Sequence, residues 1–210
     1  MRKIIKNIRQ IRRNRINKEN IKKLKNNNMS IFSSNCIGGV LYHELGLRFM
    51  SPFINIYVEP KDYIKFLKNP KIYLKYELKK MESNEYSFPV AQLNDVKLYG
   101  VHYKNFDEMN IKWKERIKRI NWDNLYVFMV ERDGCSEEDI KEFDKLPYKN
   151  KVIFVHKEMP DVSSAVYIEK FKYNDPQKYH RVKDLTQFSN CFSAKRLIDR
   201  FDYVSFFNTK

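Results

Sequence analysis

Three short segments gather residue types able to do chemistry. The first is Ser33-Ser34-Asn35-Cys36-Ile37-Gly38-Gly39, where a thiol stands between an apolar stretch and the start of a helical one. Free N–H groups at a helix start favour thiolate over thiol. Gly38 and Gly39 let the backbone approach a ligand, and their N–H groups, with the Asn35 side chain, suit an oxyanion or a phosphate. The segment reads as a nucleophile or anion-binding turn, or as a buried cysteine in a tight turn whose glycines serve packing. It lacks the Gly-Lys-Ser/Thr ending of a phosphate-binding loop and the glycine spacing of a dinucleotide fingerprint.

The second segment is Glu131-Arg132-Asp133-Gly134-Cys135-Ser136. Arg132 suits a phosphate or carboxylate, and Asp133 could orient a base or a sugar hydroxyl. An Asp-Gly turn also occurs for backbone reasons alone. Cys135 reads as structural. The third is Val101-His102-Tyr103, whose imidazole titrates near neutrality, as a general base must. His43, about two turns beyond Cys36, is a candidate for the same cleft. His156 and His180 are weaker candidates. A fourth cluster includes Trp113, Arg116 and Trp122, with Trp122 either a sugar-stacking platform or core. Three scattered cysteines and no His-Glu-x-x-His pattern predict no metal site. Without an Asp-x-Asp pair, a metal-dependent nucleotide-sugar transferase loses its usual cation ligands.

The elements that must position these groups alternate. Strands are expected over residues 29–34, 53–58, 96–103, 125–130, 151–155, 166–168 and 203–207. Helices are expected over 38–46, 60–67, 70–81, 107–120, 136–146 and 193–201, with Ser136 and Asp139 forming a capping box. This alternation predicts an α/β fold with a largely parallel or mixed sheet and flanking helices. Ligands of open parallel sheets bind outside the carboxyl ends of the strands. The three segments therefore share one hollow if the first, third and fourth strands lie side by side.

Of 210 residues, 42% are hydrophobic and 15% aromatic, which excludes a disordered chain, and five Gly exclude a collagen-like one. The net charge of +15 is uneven. Residues 1–28 hold 11 Lys and Arg against Glu19 alone, and the remainder is only mildly basic. The chain therefore divides into a basic amphipathic N-terminal extension, 1–28, and an α/β domain, 29–210. Ile4, Ile8 and Ile11 form an apolar stripe in the extension, fitting an anionic membrane surface. Nucleic acid is the weaker partner, because no aromatic residue is interleaved there. No apolar run approaches the ~18 residues of a membrane span, and no signal peptide is expected. An odd cysteine count suits a reducing cytoplasm.

Several of these motifs, in order, resemble the DUF1919 family, also called CAC2185-like. They are Ser34-Asn35-Cys36-Ile37-Gly38-Gly39, Leu45-Gly46-Leu47, Ser51-Pro52, Asp62 to Leu67, Val101-His102-Tyr103, Trp113 with Arg116 and Arg119, Ile120 to Asn124, and Arg132-Asp133-Gly134-Cys135. The similarity runs from about Ile31 to Ile168, and Ile37 stands where the family often has Trp. The resemblance implies two small α/β subdomains in a bacterial protein, often encoded among capsule, exopolysaccharide or lipopolysaccharide genes. The expected function is a transferase of surface-polysaccharide biosynthesis, with acyl transfer to a sugar ahead of glycosyl or glycosyl-phosphate transfer. A non-enzymatic membrane-associated scaffold is the third reading. In the acyl-transfer reading Cys36 is the nucleophile, His102 the general base and Asp133 its orienting partner. Asn35, Gly38 and Gly39 stabilise the oxyanion, and Arg132 holds a donor phosphate. His43, Tyr103, Arg116 and Trp122 complete the substrate surface. The donor is an acyl-coenzyme A or a nucleotide-sugar, the acceptor a sugar, and the location cytoplasmic, on the inner face of the membrane.

Overall fold

The two most apolar runs of the chain, Leu125–Val130 and Asn150–Val155, become the central strands of a parallel sheet, because strands covered on both faces need no polar alternation. The computed structural model describes residues 2–169, 171, 185–190 and 192–209. In chain order its helices are α1 (Arg2–Lys23), α2 (Ile37–Glu44), α3 (Pro60–Lys68), α4 (Pro70–Tyr73), α5 (Phe106–Ile117), α6 (Glu137–Asp144) and α7 (Tyr203–Asn208). Its strands are β1 (Ser30–Ser33), β2 (Leu78–Met81), β3 (Val90–Leu93), β4 (Val96–Tyr99), β5 (Leu125–Val130), β6 (Asn150–Val155) and β7 (Ala165–Tyr167).

Strands β1, β5, β6 and β7 pair in that order, all parallel, and β2, β3 and β4 form a separate antiparallel sheet. Alternate side chains of the parallel sheet enter two cores. Phe32, Val127, Met129 and Ile153 meet residues of α3, α5 and α6 on one face. Ile31, Tyr126, Phe128 and Phe154 meet α2 and α7 on the other. The expected α/β class stands, with helices on both faces of the sheet.

Five elements depart from expectation. Residues 53–58 are not a strand: Asn55 takes a left-handed φ of 63°, the chain turns, and only Tyr57 bridges to Tyr99. The helix expected over 70–81 ends at Tyr73, and Leu78–Met81 turns into β2. The strand expected over 96–103 joins the small antiparallel sheet, because Asn94, at φ 56°, makes a tight hairpin between β3 and β4. Residues 203–207 are helical, not extended: Asp202 caps the helix by accepting from Ser205 N–H, and Phe206 and Phe207 pack on Tyr126 and Phe128. Only Leu197–Arg200 of the helix expected over 193–201 forms, as a 3-10 turn. The Ser136–Asp139 capping box is present as expected.

From Arg2 to Asn28 the chain does not trail from the body. The first 22-residue helix, α1, turns its Arg13 side chain inward, where only 1% is exposed. There Arg13 meets Glu44 of α2 and Asp199 of the 3-10 turn, and Arg196 meets the same Glu44 at 2.7 Å. Asn26 then donates to Asn124 and to the Phe207 carbonyl, which ties the segment before β1 to the start of β5 and to α7.

Candidate functional site

Parallel strands β1 and β5 deliver their following residues to the same edge of the sheet. Ser34 N–H continues the pairing to Phe128 O at 3.2 Å. Asn35 then turns the chain into α2, its Oδ1 accepting from Ile37 N–H at 3.0 Å. Cys36 is the N-cap of α2 and is half-buried. After β5, Arg132 and Asp133 make a turn in which Asp133 has a left-handed φ of 57° and Gly134 one of 82°. Asp and Gly are the residues that tolerate this backbone.

The small sheet closes the space from the other side. Val58 N–H donates to Ser34 O at 2.9 Å, and Tyr57 and Tyr99 exchange two backbone hydrogen bonds, each 2.9 Å. These bonds carry the end of β4, with Val101 and His102, up to the carboxyl ends of β1 and β5. The result is a cleft of about 650 Å³ that Asn35, Cys36, His102, Arg132 and Asp133 line together. This volume lies within the range of small-molecule sites, roughly 300–1,000 Å³. The third strand is thus not beside the first and fourth, yet its end reaches the same hollow through the Tyr57–Tyr99 bridge.

Aromatic rings form the other wall. Tyr57 and Tyr99 lie 5.4 Å apart, Tyr86 meets Tyr99 edge-on at 5.5 Å, and Tyr86 stacks on Phe88 at 5.2 Å. Glu59 and Glu85 add carboxylates, and Glu59 accepts from Tyr99 OH at 2.7 Å. These residues escaped the sequence reading. Tyr86 and Phe88 sit between short strands with no periodic signal, Tyr57 lies in the segment expected as strand, and Glu59 falls between that segment and the helix expected from Pro60.

Within the cleft, Asn35 is 4% exposed and its Nδ2 has no hydrogen-bond partner among the described residues. An orphaned buried donor costs about 1–3 kcal/mol and is a group awaiting an acceptor. The Asp133 carboxylate, its side chain 2% exposed, faces Arg132 Nε at 2.6 Å. It makes no hydrogen bond to His102, which is exposed, so the expected His102–Asp133 pairing is replaced by Arg132–Asp133.

Other expected site residues lie elsewhere. A Cβ on Gly38 would meet Ser33 Cβ at 3.1 Å and Ile31 Cγ2 at 3.3 Å, and one on Gly39 would touch Ile54. Neither glycine lines the cleft: Gly38 serves the close packing of α2 on β1, and Gly39 rests against the turn at Ile54. His43 is exposed in the last turn of α2, about 10 Å along the helix from Cys36 by helical rise. Trp122 stands before β5 at the opposite end of the sheet, edge-on to Phe32 at 5.9 Å and beneath Lys71. Tyr103 and Arg116 are buried behind the cleft. Arg116 donates to Tyr103 OH at 2.6 Å, Tyr103 donates to Ile54 O at 2.9 Å, and Arg116 stacks over Phe49. Burial pushes the Tyr103 phenol above its ordinary range, Arg116 pulls it back, and Cys36 adds a push upward.

Cys135 is buried, and desolvation followed by Asp139, Glu131 and Asp133 pushes its thiol far up, as befits a structural cysteine. Cys191 and His180 lie outside the described residues. His156, after β6, is held by a buried Glu131 that takes its Nδ1 at 2.7 Å, away from the cleft lining. Among the described residues no group of three His, Cys, Asp or Glu side chains could hold a metal ion. No helix among them is long and apolar enough to cross a membrane.

A family described as "Domain of unknown function (DUF1919)" matches residues 7–208. The chain belongs to the DUF1919 family. The match extends beyond the Ile31–Ile168 span of the motifs and takes in most of α1, the helix that Arg13 docks. The chain is also 42% identical over 193 residues to an uncharacterized protein of Haemophilus influenzae, covering 92% of this chain and 90% of that one.

Proposed function

We propose that the cleft is the active site of a transferase that moves an acyl group from a thioester, such as an acyl-coenzyme A, to a sugar hydroxyl in bacterial surface-polysaccharide biosynthesis. The observation that supports it is the gathering of Cys36, the orphaned Asn35 amide, His102 and the Arg132–Asp133 pair around one hollow. The Cys36 sulfur attacks the thioester carbonyl, and the donor thiol leaves. Asn35 Nδ2 faces the oxyanion. The sugar hydroxyl then attacks the acyl-cysteine, giving its proton to His102, and the Cys36 sulfur leaves. Arg132, steadied by Asp133, meets a donor phosphate. The aromatic wall with Glu59 and Glu85 suits a sugar: ring faces stack on apolar C–H surfaces, and carboxylates accept from hydroxyls.

Incubation with acetyl-coenzyme A followed by peptide mass analysis tests this. An acyl group on the Cys36 peptide, absent from Cys36→Ala, is the expected result. Full transfer activity in both Cys36→Ala and Cys36→Ser refutes covalent catalysis. The three cleft carboxylates favour a second reading, glycosyl transfer with a carboxylate base. Stabilisation by nucleotide-sugars and not by coenzyme A selects it. A scaffold without small-molecule chemistry predicts stabilisation by neither.

The reading includes a cytoplasmic location at the inner face of the membrane, through α1. Its docked face is the polar one around Arg13, and Ile8 and Ile11 point outward, 46% and 67% exposed, beside exposed Arg12, Arg15, Lys18 and Lys22. Isoleucines amid cations suit anionic lipid, where each surface Lys or Arg contributes about 1 kcal/mol.

A further inference from the structure

The parallel strands enter the sheet at the end opposite the cleft. Asn124 precedes β5, and Lys149 and Asn150 lead into β6. From Asn124 to Arg132, at the cleft, the chain advances roughly 25 Å at strand rise. Two hollows meet at the entry end. One, of about 650 Å³, is lined by Lys68, Lys71, Trp122 and Tyr148, and the other, of about 610 Å³, by Lys25 and Asn124. Asp123, Lys149 and Asn150 line both, so the two form one continuous surface. Lys25 joins it to α1. Its N–H donates to Asn208 Oδ1 at 2.8 Å, and Ile21 of α1 lies 3.8 Å from the Cβ position of Gly46, just past the end of α2. Because α2 starts at the cleft and runs away from it, the last turns of α1 lie toward this edge.

Lys25, Lys71 and Lys149 are exposed, and among the described residues none of them meets a carboxylate, whereas Lys68 holds Glu142 at 3.0 Å. Asp123 is the one acid lining the two hollows among the described residues. Three ammoniums against one carboxylate attract an anion. The apolar groups decide its kind. Lys71 Nζ stands over the Trp122 ring at 5.2 Å, and Phe32 meets that ring edge-on. A nucleic-acid base would have to displace the ammonium to stack there. Ile72, 53% exposed on the rim, answers nothing in a nucleotide chain. A bilayer surface takes each group as it stands: ammoniums at lipid phosphates, half-buried Trp122 and Tyr148 at headgroup level, and an isoleucine below them.

We propose that this strand-entry edge is a second lipid-binding surface, continuous with α1 through Lys25, that seats Lys71, Lys149 and Trp122 among the headgroups of an anionic membrane. The cleft, at the other end of the strands, then opens away from the lipid. The inference rests on the membrane part of the reading above and is independent of the transfer chemistry.

Trp122 supplies the test, because Trp113, the other tryptophan, is 1% exposed. The full chain is titrated with vesicles of phosphatidylglycerol and phosphatidylcholine that carry some phosphatidylcholine spin-labelled at the headgroup, and sedimentation gives the bound fraction. Tryptophan emission of the bound protein should be quenched, and Trp122→Phe should abolish the quenching. Lys71→Gln/Lys149→Gln should weaken binding about tenfold or more at an unchanged melting temperature. Bound protein with unquenched Trp122 overturns the inference, whether or not any variant folds, and leaves α1 as the anchor. So does a folded Lys71→Gln/Lys149→Gln of unchanged affinity. No binding to these vesicles, or tighter binding to single-stranded DNA, removes this surface and the membrane role of α1 together. Quenched, lysine-dependent binding without acyl uptake by Cys36 leaves this inference standing and removes the transferase reading.

Discussion

Replacing Arg13 by Ala should lower the melting temperature by about 6–12 °C. The guanidinium is 1% exposed and reaches Glu44 Oε1 at 3.0 Å, Asp199 Oδ1 at 3.2 Å and Ala194 O at 3.4 Å, with closer contacts to the second oxygen of each carboxylate. Removing one member of a buried ion cluster costs about 3–5 kcal/mol, mostly from the charges left behind. Here the remainder is cushioned. Glu44 keeps Arg196 at 2.7 Å, and Asp199 keeps the Arg196 N–H at 2.7 Å, so the lower end, about 3 kcal/mol, applies. For a chain of this length each kcal/mol moves the midpoint by about 2–4 °C. Scanning calorimetry of Arg13→Ala beside Arg13→Met/Glu44→Gln/Asp199→Asn is the assay. The triple variant, which removes the orphaned charges, should recover part of the loss. A midpoint for Arg13→Ala within about 2 °C of the unaltered protein would refute the docking of α1 by this cluster.

Gly38→Ala should destabilise by about 1–3 kcal/mol, since the new methyl meets Ser33 Cβ at 3.1 Å, and urea titration measures it. Burial pushes Tyr148 and Tyr203 up to about 12 and also raises Tyr42 and Tyr63, whereas phenols of the unfolded chain ionise near pH 10. Their contribution is whole below pH 10 and is lost as pH rises from 10 toward 12, at up to about 1.4 kcal/mol per pH unit for each. Melting curves flat between pH 9 and 11 would contradict this. Vesicles of phosphatidylglycerol and phosphatidylcholine should sediment the protein, less so with rising salt, and pure phosphatidylcholine should not. Ile8→Ser/Ile11→Ser should weaken that binding at an unchanged melting temperature. Binding to single-stranded DNA in preference to these vesicles would overturn the membrane assignment.

The elements that the sequence makes legible are those whose signal is local and strong. The continuous apolar runs of β5 and β6 declare buried strands, and Ser136 with Asp139 declares the start of α6. Tyr203–Asn208 misleads because aromatic residues favour strands, while a single aspartate cap and the apolar face of the sheet decide for helix. Asn94 hides a hairpin because one left-handed residue carries no periodicity.

At the cleft, the sequence by itself determined that Asn35, Cys36, Arg132 and Asp133 follow apolar strands, and a parallel pairing of β1 with β5 then suffices to bring them to one edge. Tertiary structure alone decided the partners. It matched Asp133 with Arg132 and not His102, turned Gly38 and Gly39 to packing, withdrew Tyr103 and Arg116 behind the wall and supplied Tyr57, Tyr86 and Tyr99 in front of it. The basic extension divides the same way: its charge and stripe are written in residues 1–28, but which face is buried depended on Glu44 and Asp199, distant in the chain. Spacing along a chain fixes which side chains share an element's face, whereas which charges meet across elements is set only once packing has excluded water and made each unpaired group costly.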